Sequence, residues 1–172
     1  MSLGPRARLI GMQTVTLVEP RLEQRRAQPY AALRLAVSAD RFEAAVDAGW
    51  LELFARLSDA RVEVAGAPFV RYLAIDTGGH RLEIELGVPV DAPVEGDDLI
   101  RPGELPAGRY VTLRHTGQSL TAAHEALVEW AARHGVELDG RETADGTAWW
   151  RGRLERHLDP ARDEVEIAYL TT

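Results

Sequence analysis

Adjacent tryptophans Trp149 and Trp150 precede a single carboxylate, Glu155, in the stretch TAWWRGRLERHLDP, and arginines Arg153 and Arg156 flank that carboxylate. Aromatic faces attract a delocalised positive charge by roughly 0.5 to 2 kcal/mol per contact. A carboxylate withdrawn from water among them adds Coulomb attraction and selects positive or hydrogen-bond-donating partners. The same desolvation raises a carboxyl pKa toward the range a general acid or base needs. The competing account of Glu155 is a surface ion pair with Arg153, Arg156 or Arg114, worth about 0 to 1 kcal/mol when exposed.

Periodicity within the stretch leaves its conformation open. As a strand, Trp150, Gly152, Leu154 and Leu158 share one face, while Trp149, Arg151, Arg153, Glu155 and His157 share the other. As a helix, Trp150, Leu154 and Leu158 also form a stripe. An internal repeat resolves the choice. With an offset of 80 residues, Tyr30, Leu33, Arg34 and Trp50 fall on Tyr110, Leu113, Arg114 and Trp130.

Each copy reads as a strand followed by a helix. In the first, Tyr30 to Val37 is extended, Ser38 is the expected N-cap, and Phe42, Val46, Trp50, Phe54 and Leu57 form the apolar stripe. In the second, Tyr110 to His115 is the strand and Ser119 the cap. Its stripe is Leu120, Ala123, Leu127, Trp130 and Ala131, with Gly135 as the stop. APFVRYLAID (67–76) then falls on TAWWRGRLER (147–156), and ELGVPV (85–90) on EIAYLT (166–171). The first of these is rich in aromatic and β-branched residues and reads as a strand, so its partner is a strand too. Glu155 stands where the first copy has Ile75, which argues against a routine solvent position. A linker at 91–107, rich in proline, glycine and acid, suits a surface crossover. One co-folded domain over 1–172 is expected, with halves at about 10–90 and 108–172.

With 172 residues, 45% of them hydrophobic, the chain is long enough to bury a core. The formal charge of −7 with scattered basic residues lacks the footprint of a nucleic-acid-binding surface. The absence of cysteine excludes disulfides and thiolate chemistry. All 20 basic residues are arginine, so Schiff-base and P-loop lysine chemistry is excluded as well. No apolar run approaches membrane-spanning length, and a cytoplasmic location with no membrane partner is expected. Dinucleotide, H-E-x-x-H and G-x-S-x-G motifs are missing. The five histidines, His80, His115, His124, His134 and His157, lack ligand-like spacing, so neither a metal site nor a cofactor is expected.

The remaining chemistry lies in aromatic residues on strands and helices of both halves. Tyr30, Trp50, Phe69 and Tyr72 belong to the first half, and Tyr110, Trp130, Trp149, Trp150 and Tyr169 to the second. Each singly reads as core; together with Glu155 they read as the walls of a ligand cleft.

The run LPAGRYVTLRHTGQSLTAAHEALVEWAARHGVEL, followed by WWRGRLERHLDP and EVEIAYL, resembles the GyrI-like family, the effector-binding domain of AraC-type and some MerR-type regulators. The resemblance covers nearly the whole chain through order, spacing and duplication. The chain departs from the family at GQS (117–119), where a Gly-Pro-Tyr type turn is common, and at YLTT, where an isoleucine-proline pair usually ends the last strand. It implies an α+β fold of tandem β-α-β-β halves with pseudo-twofold symmetry, an antiparallel sheet and two main helices around a central cleft. It further implies that the cleft takes lipophilic, often cationic, small molecules. Glu155 then matches the family's central pocket carboxylate, Tyr169 an aromatic of the closing strand and Trp130 one of the second helix. Glu166 matches the glutamate that leads the last strand and reads as structural.

Three functions follow from that resemblance. The leading one is a stand-alone small-molecule-binding domain for sensing or sequestration, since the residues before Gln28 are too few for a DNA-binding helix pair. The second is a hydrolase of strained, cyclopropane-bearing electrophiles, with Glu155 as acid or base and Tyr110 or Tyr169 as hydrogen-bond donors. The third is a gyrase-inhibitor-like module docking a protein partner; a second copy of the chain is a further expected partner.

Overall fold

The computed structural model describes residues 16–76, 78, 80–117 and 119–172, with the side chains of Thr16 and Leu17 left aside. Ten strands form one antiparallel sheet with two helices. The first half runs β1 (Thr16–Leu17), β2 (Arg21–Arg25), β3 (Gln28–Ser38), α1 (Phe42–Asp59), β4 (Phe69–Asp76) and β5 (Arg81–Pro89). The second runs β6 (Arg101–Leu105), β7 (Gly108–Thr116), α2 (Leu120–Arg133), β8 (Gly140–Glu142), β9 (Thr147–Asp159) and β10 (Glu164–Leu170). No helix among the described residues is long and apolar enough to cross a membrane.

The repeat is written into the sheet. Its order, β7-β10-β9-β4-β5-β3, places the two halves about a central β9·β4 pair. Residues 91–107 are more than the expected surface linker, because β6 pairs with β3 from Gln28↔Leu105 to Ala32↔Arg101. In the same way β2 pairs with β7, from Arg21↔Thr112 to Arg25↔Gly108. β2 and β6 stand 80 residues apart, so the duplicated unit includes a leading strand, and each leading strand crosses to the other half. That exchange interlocks the halves. The sequence ahead of Gln28 reads as a tail and a strand; residues 1–15 lie outside the described residues, and Thr16 and Leu17 pair with Thr116 and His115 respectively.

Both helices lie on one face of the sheet. α2 buries Ala123, Leu127 and Ala131 against Val111, Leu113, Ile167 and Tyr169, as its stripe predicts. It ends at Gly135, whose φ of +64° suits glycine. α1 is turned from its expected face: Gly49, Leu53 and Leu57 are buried, while Phe54 is 42% exposed. Gly49 explains the rotation, because a Cβ there would lie 2.6 Å from Leu86 Cδ1, and only a bare backbone lets α1 settle so close to the sheet. Ser38 and Ser119 stand at the expected helix starts, Ser38 before a short 3-10 turn, but neither side chain makes a capping hydrogen bond. Gln118, in the GQS turn, lies outside the described residues.

The opposite face carries its own core, which runs across both halves. Tyr30, Phe69, Tyr110, Leu154 and Leu170 cluster there. The Tyr30 and Phe69 rings meet edge to face at 5.2 Å, a favoured geometry for aromatic quadrupoles.

Candidate functional site

α1 packs on β3 and β5 and α2 on β7, which leaves the central strands β4 and β9 between the helices. Register decides what they present there. Val70 and Tyr72 point toward the helix side and pair with Glu155 and Arg153 respectively. On its other edge β9 pairs Glu155 with Ile167 and Arg153 with Tyr169. Glu155, Arg153, Tyr72 and Tyr169 therefore share the helix face.

Simple alternation fails farther along β9. Tyr72 faces Arg153, but Ala74 already faces Trp149, so residues 150–152 of β9 stand against Leu73 alone. This bulge reverses the expected faces. Trp150 joins the helix side, where its ring meets Tyr169 edge to face at 5.2 Å, and Trp149 turns to the far side, 44% exposed. Gly152 permits the close backbone approach, because a Cβ there would come 2.6 Å from Leu170 Cβ.

Glu155 is 7% exposed, and among the described residues no arginine pairs with it. Arg156 turns to Glu166 at 3.8 Å and Arg114 to Glu164 at 3.7 Å, which removes the expected surface ion pair. The partner of Glu155 is His124, whose Nε2 lies 2.7 Å from Oε1. The other ring nitrogen, Nδ1, lies 2.8 Å from the Tyr169 hydroxyl. A carboxylate only accepts, so the proton belongs on Nε2, leaving Nδ1 to accept from Tyr169. Burial, opposed by the Arg153 charge, holds the Tyr169 hydroxyl up at about 12, so it acts as a donor at neutral pH. Burial, reinforced by the charge and hydrogen bond of Glu155, pushes Tyr72 well above the usual phenol range. His157, beside the Trp50 ring at 6.3 Å, has its pKa lowered by burial against a smaller pull from Glu155.

Several expected residues are thus gathered and others are not. Glu155, Tyr169, Tyr72 and Trp150 meet between the helices, and Trp50 reaches the margin through His157. Trp130 packs at the edge of the α2 cluster with its ring stacked on His134 at 4.1 Å. Phe69 and Tyr110 belong to the opposite core, where the Tyr110 hydroxyl donates to the Pro106 carbonyl at 2.7 Å. Sequence reasoning passed over His124 and treated Arg153 only as an ion-pair partner. His124 follows Ala123 and precedes Leu127 by three, so it borders the buried stripe of α2; that was the available signal.

A larger cavity, 580 Å³, lies on the opposite face among Arg25, Arg156, Glu23, Glu166 and Tyr110. Its charges are tied to one another: Arg25 reaches Glu23 at 2.8 Å and Glu166 at 2.7 Å. The first half repeats the arrangement, with Glu85 at the position equivalent to Glu166 and held by Tyr30 at 2.5 Å and by Arg71 at 3.4 Å. A feature present in both halves reads as a tie within the fold. The Glu155, His124 and Tyr169 chain has no counterpart: the sheet register sets Val70 rather than Ile75 at the position equivalent to Glu155, and Ala44 and Val88 stand for the other two. Asymmetry favours the helix side as the functional site, and a 370 Å³ hollow adjoins it at Phe42, Tyr72 and Leu82.

Comparisons with known proteins agree with this architecture. The C-terminal domain of EcmrR has 13% identity and a TM-score of 0.66, with 90% of this chain and 97% of that one covered. EcmrR in its complex with DNA gives 16% identity and a TM-score of 0.67, covering 89% of this chain but 57% of that one, so this chain spans little more than half of that chain's length. SAV2435 bound to tetraphenylphosphonium gives 10% identity and a TM-score of 0.53, with 90% and 94% covered. At such identities these likenesses concern the fold. No curated protein sequence matches. The family model described as the GyrI-like small molecule binding domain matches residues 18–144, ending before Glu155. The chain belongs to the GyrI-like small-molecule-binding domain family.

Proposed function

We propose that this domain binds a lipophilic small molecule in the groove between α1 and α2, for sensing or sequestration, with Glu155 as the polar anchor of its floor. One observation carries the reading: a buried carboxylate held by a histidine rather than an arginine, among Tyr72, Trp150 and Tyr169. A carboxylate that ties a fold together at this depth is held by direct contact with an arginine, as Glu166 is by Arg25, and among the described residues Glu155 has no such contact. Aromatic walls supply apolar contact area, and the Glu155 to Tyr169 chain supplies a fixed set of donors and acceptors.

Titration with Nile red, an uncharged lipophilic dye, tests this. Wild type is expected to bind saturably, Glu155→Gln at least tenfold more weakly, about 1.4 kcal/mol, and Trp149→Phe without change. Saturable binding equal in wild type and Glu155→Gln removes the glutamate from the site, and no saturable binding removes the groove.

The same chain of groups favours a second reading, hydrolysis of a strained electrophile. With its Nε2–H given to Glu155, His124 presents Nδ1 as an acceptor backed by a carboxylate, the arrangement of a general base that would draw a proton from an attacking water. Turnover of a reactive cyclopropane substrate that is unchanged in Glu155→Gln would exclude it.

A further inference from the structure

We infer that Arg153 sets the ligand class of the groove: its guanidinium fills the position a ligand cation would take, so the groove selects uncharged lipophilic molecules bearing hydrogen-bond acceptors. This rests on the groove reading above and deepens it.

The guanidinium carbon of Arg153 lies 5.1 Å from the ring centre of Tyr72, 5.4 Å from that of Trp150 and 5.3 Å from that of Tyr169. Three aromatic faces around one cation form a cage of the kind that recognises cationic ligands. The backbone imposes this placement. β9 pairs Arg153 with Tyr72 on one edge and with Tyr169 on the other, so the arginine projects between two cross-strand tyrosines. The β9 bulge then brings Trp150 to the same side. A planar guanidinium stacks on such faces where an ammonium would seek water.

Charge points the same way. Glu155 and Arg153 together leave the floor of the groove without net charge. A lipophilic cation would find the aromatic faces taken and would meet a like charge in a site of low dielectric. An anion would meet Glu155. An uncharged ligand meets neither obstacle.

The donor inventory specifies the ligand further. Arg153 Nε and Trp150 Nε1 are buried and find no hydrogen-bond acceptor among the described residues. Buried donors in folded proteins are almost always paired. Two unpaired N–H groups on the cage itself suit a ligand that brings carbonyl, ether or phosphoryl oxygens.

A matched pair of probes tests the assignment: tetraphenylphosphonium, a cation, and triphenylphosphine oxide, an uncharged molecule of similar shape with one strong acceptor oxygen. Calorimetric titration of wild type is expected to show at least tenfold tighter binding of the oxide. Arg153→Met, which keeps the stem and removes the charge, is expected to reverse that preference, and Arg153→Lys, whose ammonium leaves the ring faces for water, to weaken it. Unfolding of each variant in urea checks that the fold persists. Wild type binding the cation as tightly as the oxide, or Arg153→Met leaving the preference unchanged, overturns the inference. Binding of neither probe to wild type overturns it too, while the Nile red titration decides separately whether the groove binds ligands at all.

Discussion

Nε2 of His124 lies 2.7 Å from Oε1 of Glu155, and this contact ties the second helix to the centre of the sheet. Leu127 and Ala131 bury α2 through apolar area alone, whereas His124 fixes which side chains it meets. Replacing His124 with leucine keeps the bulk but strands the Glu155 carboxylate and the Tyr169 hydroxyl. Lost hydrogen bonds to charged groups cost about 1.5 to 3 kcal/mol. His124→Leu is therefore expected to lower stability by about that amount, read from the urea midpoint at constant slope. A midpoint equal to wild type would mean that the carboxylate is solvated rather than held.

His157 gives the fold a pH dependence of definite sign. Burial lowers its pKa below the ordinary value of about 6.5, so between the two values the unfolded chain binds more protons than the native one. Stability then rises with pH across that window and falls as pH drops below about 6.5, levelling once the native histidine also protonates. His157→Gln is expected to flatten the curve below about pH 6.5 relative to wild type. Identical slopes in urea unfolding series over that range would refute the assignment. Glu23, whose pKa burial raises but the hydrogen bonds and charges of Arg25 and Arg21 together bring below the ordinary value, loses its share only at more acidic pH.

The four tryptophans divide by face, and this is measurable. Trp149 is the exposed one, on the side away from the helices. Iodide quenching is expected to fall substantially in Trp149→Phe and to change little in Trp150→Phe. The reverse order would return the strand to simple alternation and remove the bulge.

That bulge marks where sequence reasoning stopped. The duplicated strand-helix pattern was legible because Tyr30 and Tyr110, and Trp50 and Trp130, recur at one offset, and the α2 stripe is regular. The leading strands were not, since RLEQR and RPGEL show no alternation of apolar residues and pair at the sheet margin, where Pro102 is tolerated. Period-two reading set Trp149 beside Glu155, and only Gly152 hinted that the period would break. Arg153 was visible as a charge, but its aromatic surroundings depend on pairing with β4 and β10 at once, which local sequence does not encode.

Gly87 lies opposite Ala32 and Phe69 in the sheet, and a methyl group there would run into the Phe69 ring. Phe69 is fully buried and held against Tyr30, so it has little room to yield. Gly87→Ala is expected to cost about 1 to 3 kcal/mol, as overpacking generally does. Because Phe69 belongs to the core opposite the helices, Nile red affinity of the folded fraction should stay unchanged. A parallel loss of affinity would show that the two faces are coupled.

Arg25 tests the interlock between the halves. It belongs to the first half, yet its guanidinium reaches Glu166 of β10 at 2.7 Å and lies over the Tyr110 ring of β7 at 5.5 Å. Glu166 is 5% exposed, and its other cation, Arg156, stands at 3.8 Å. Removing one partner of a buried pair costs about 3 to 5 kcal/mol, because the remaining charge is left without compensation. The Arg25 side chain keeps 18% of its exposure, so Arg25→Ala is expected near the lower end. The double variant Arg25→Met with Glu166→Leu removes both charges and should recover most of the loss. If Arg25→Ala instead unfolds at the wild-type urea concentration, β2 is held to the second half by its backbone ladder with β7, and the ion pair contributes nothing measurable to the exchange of strands.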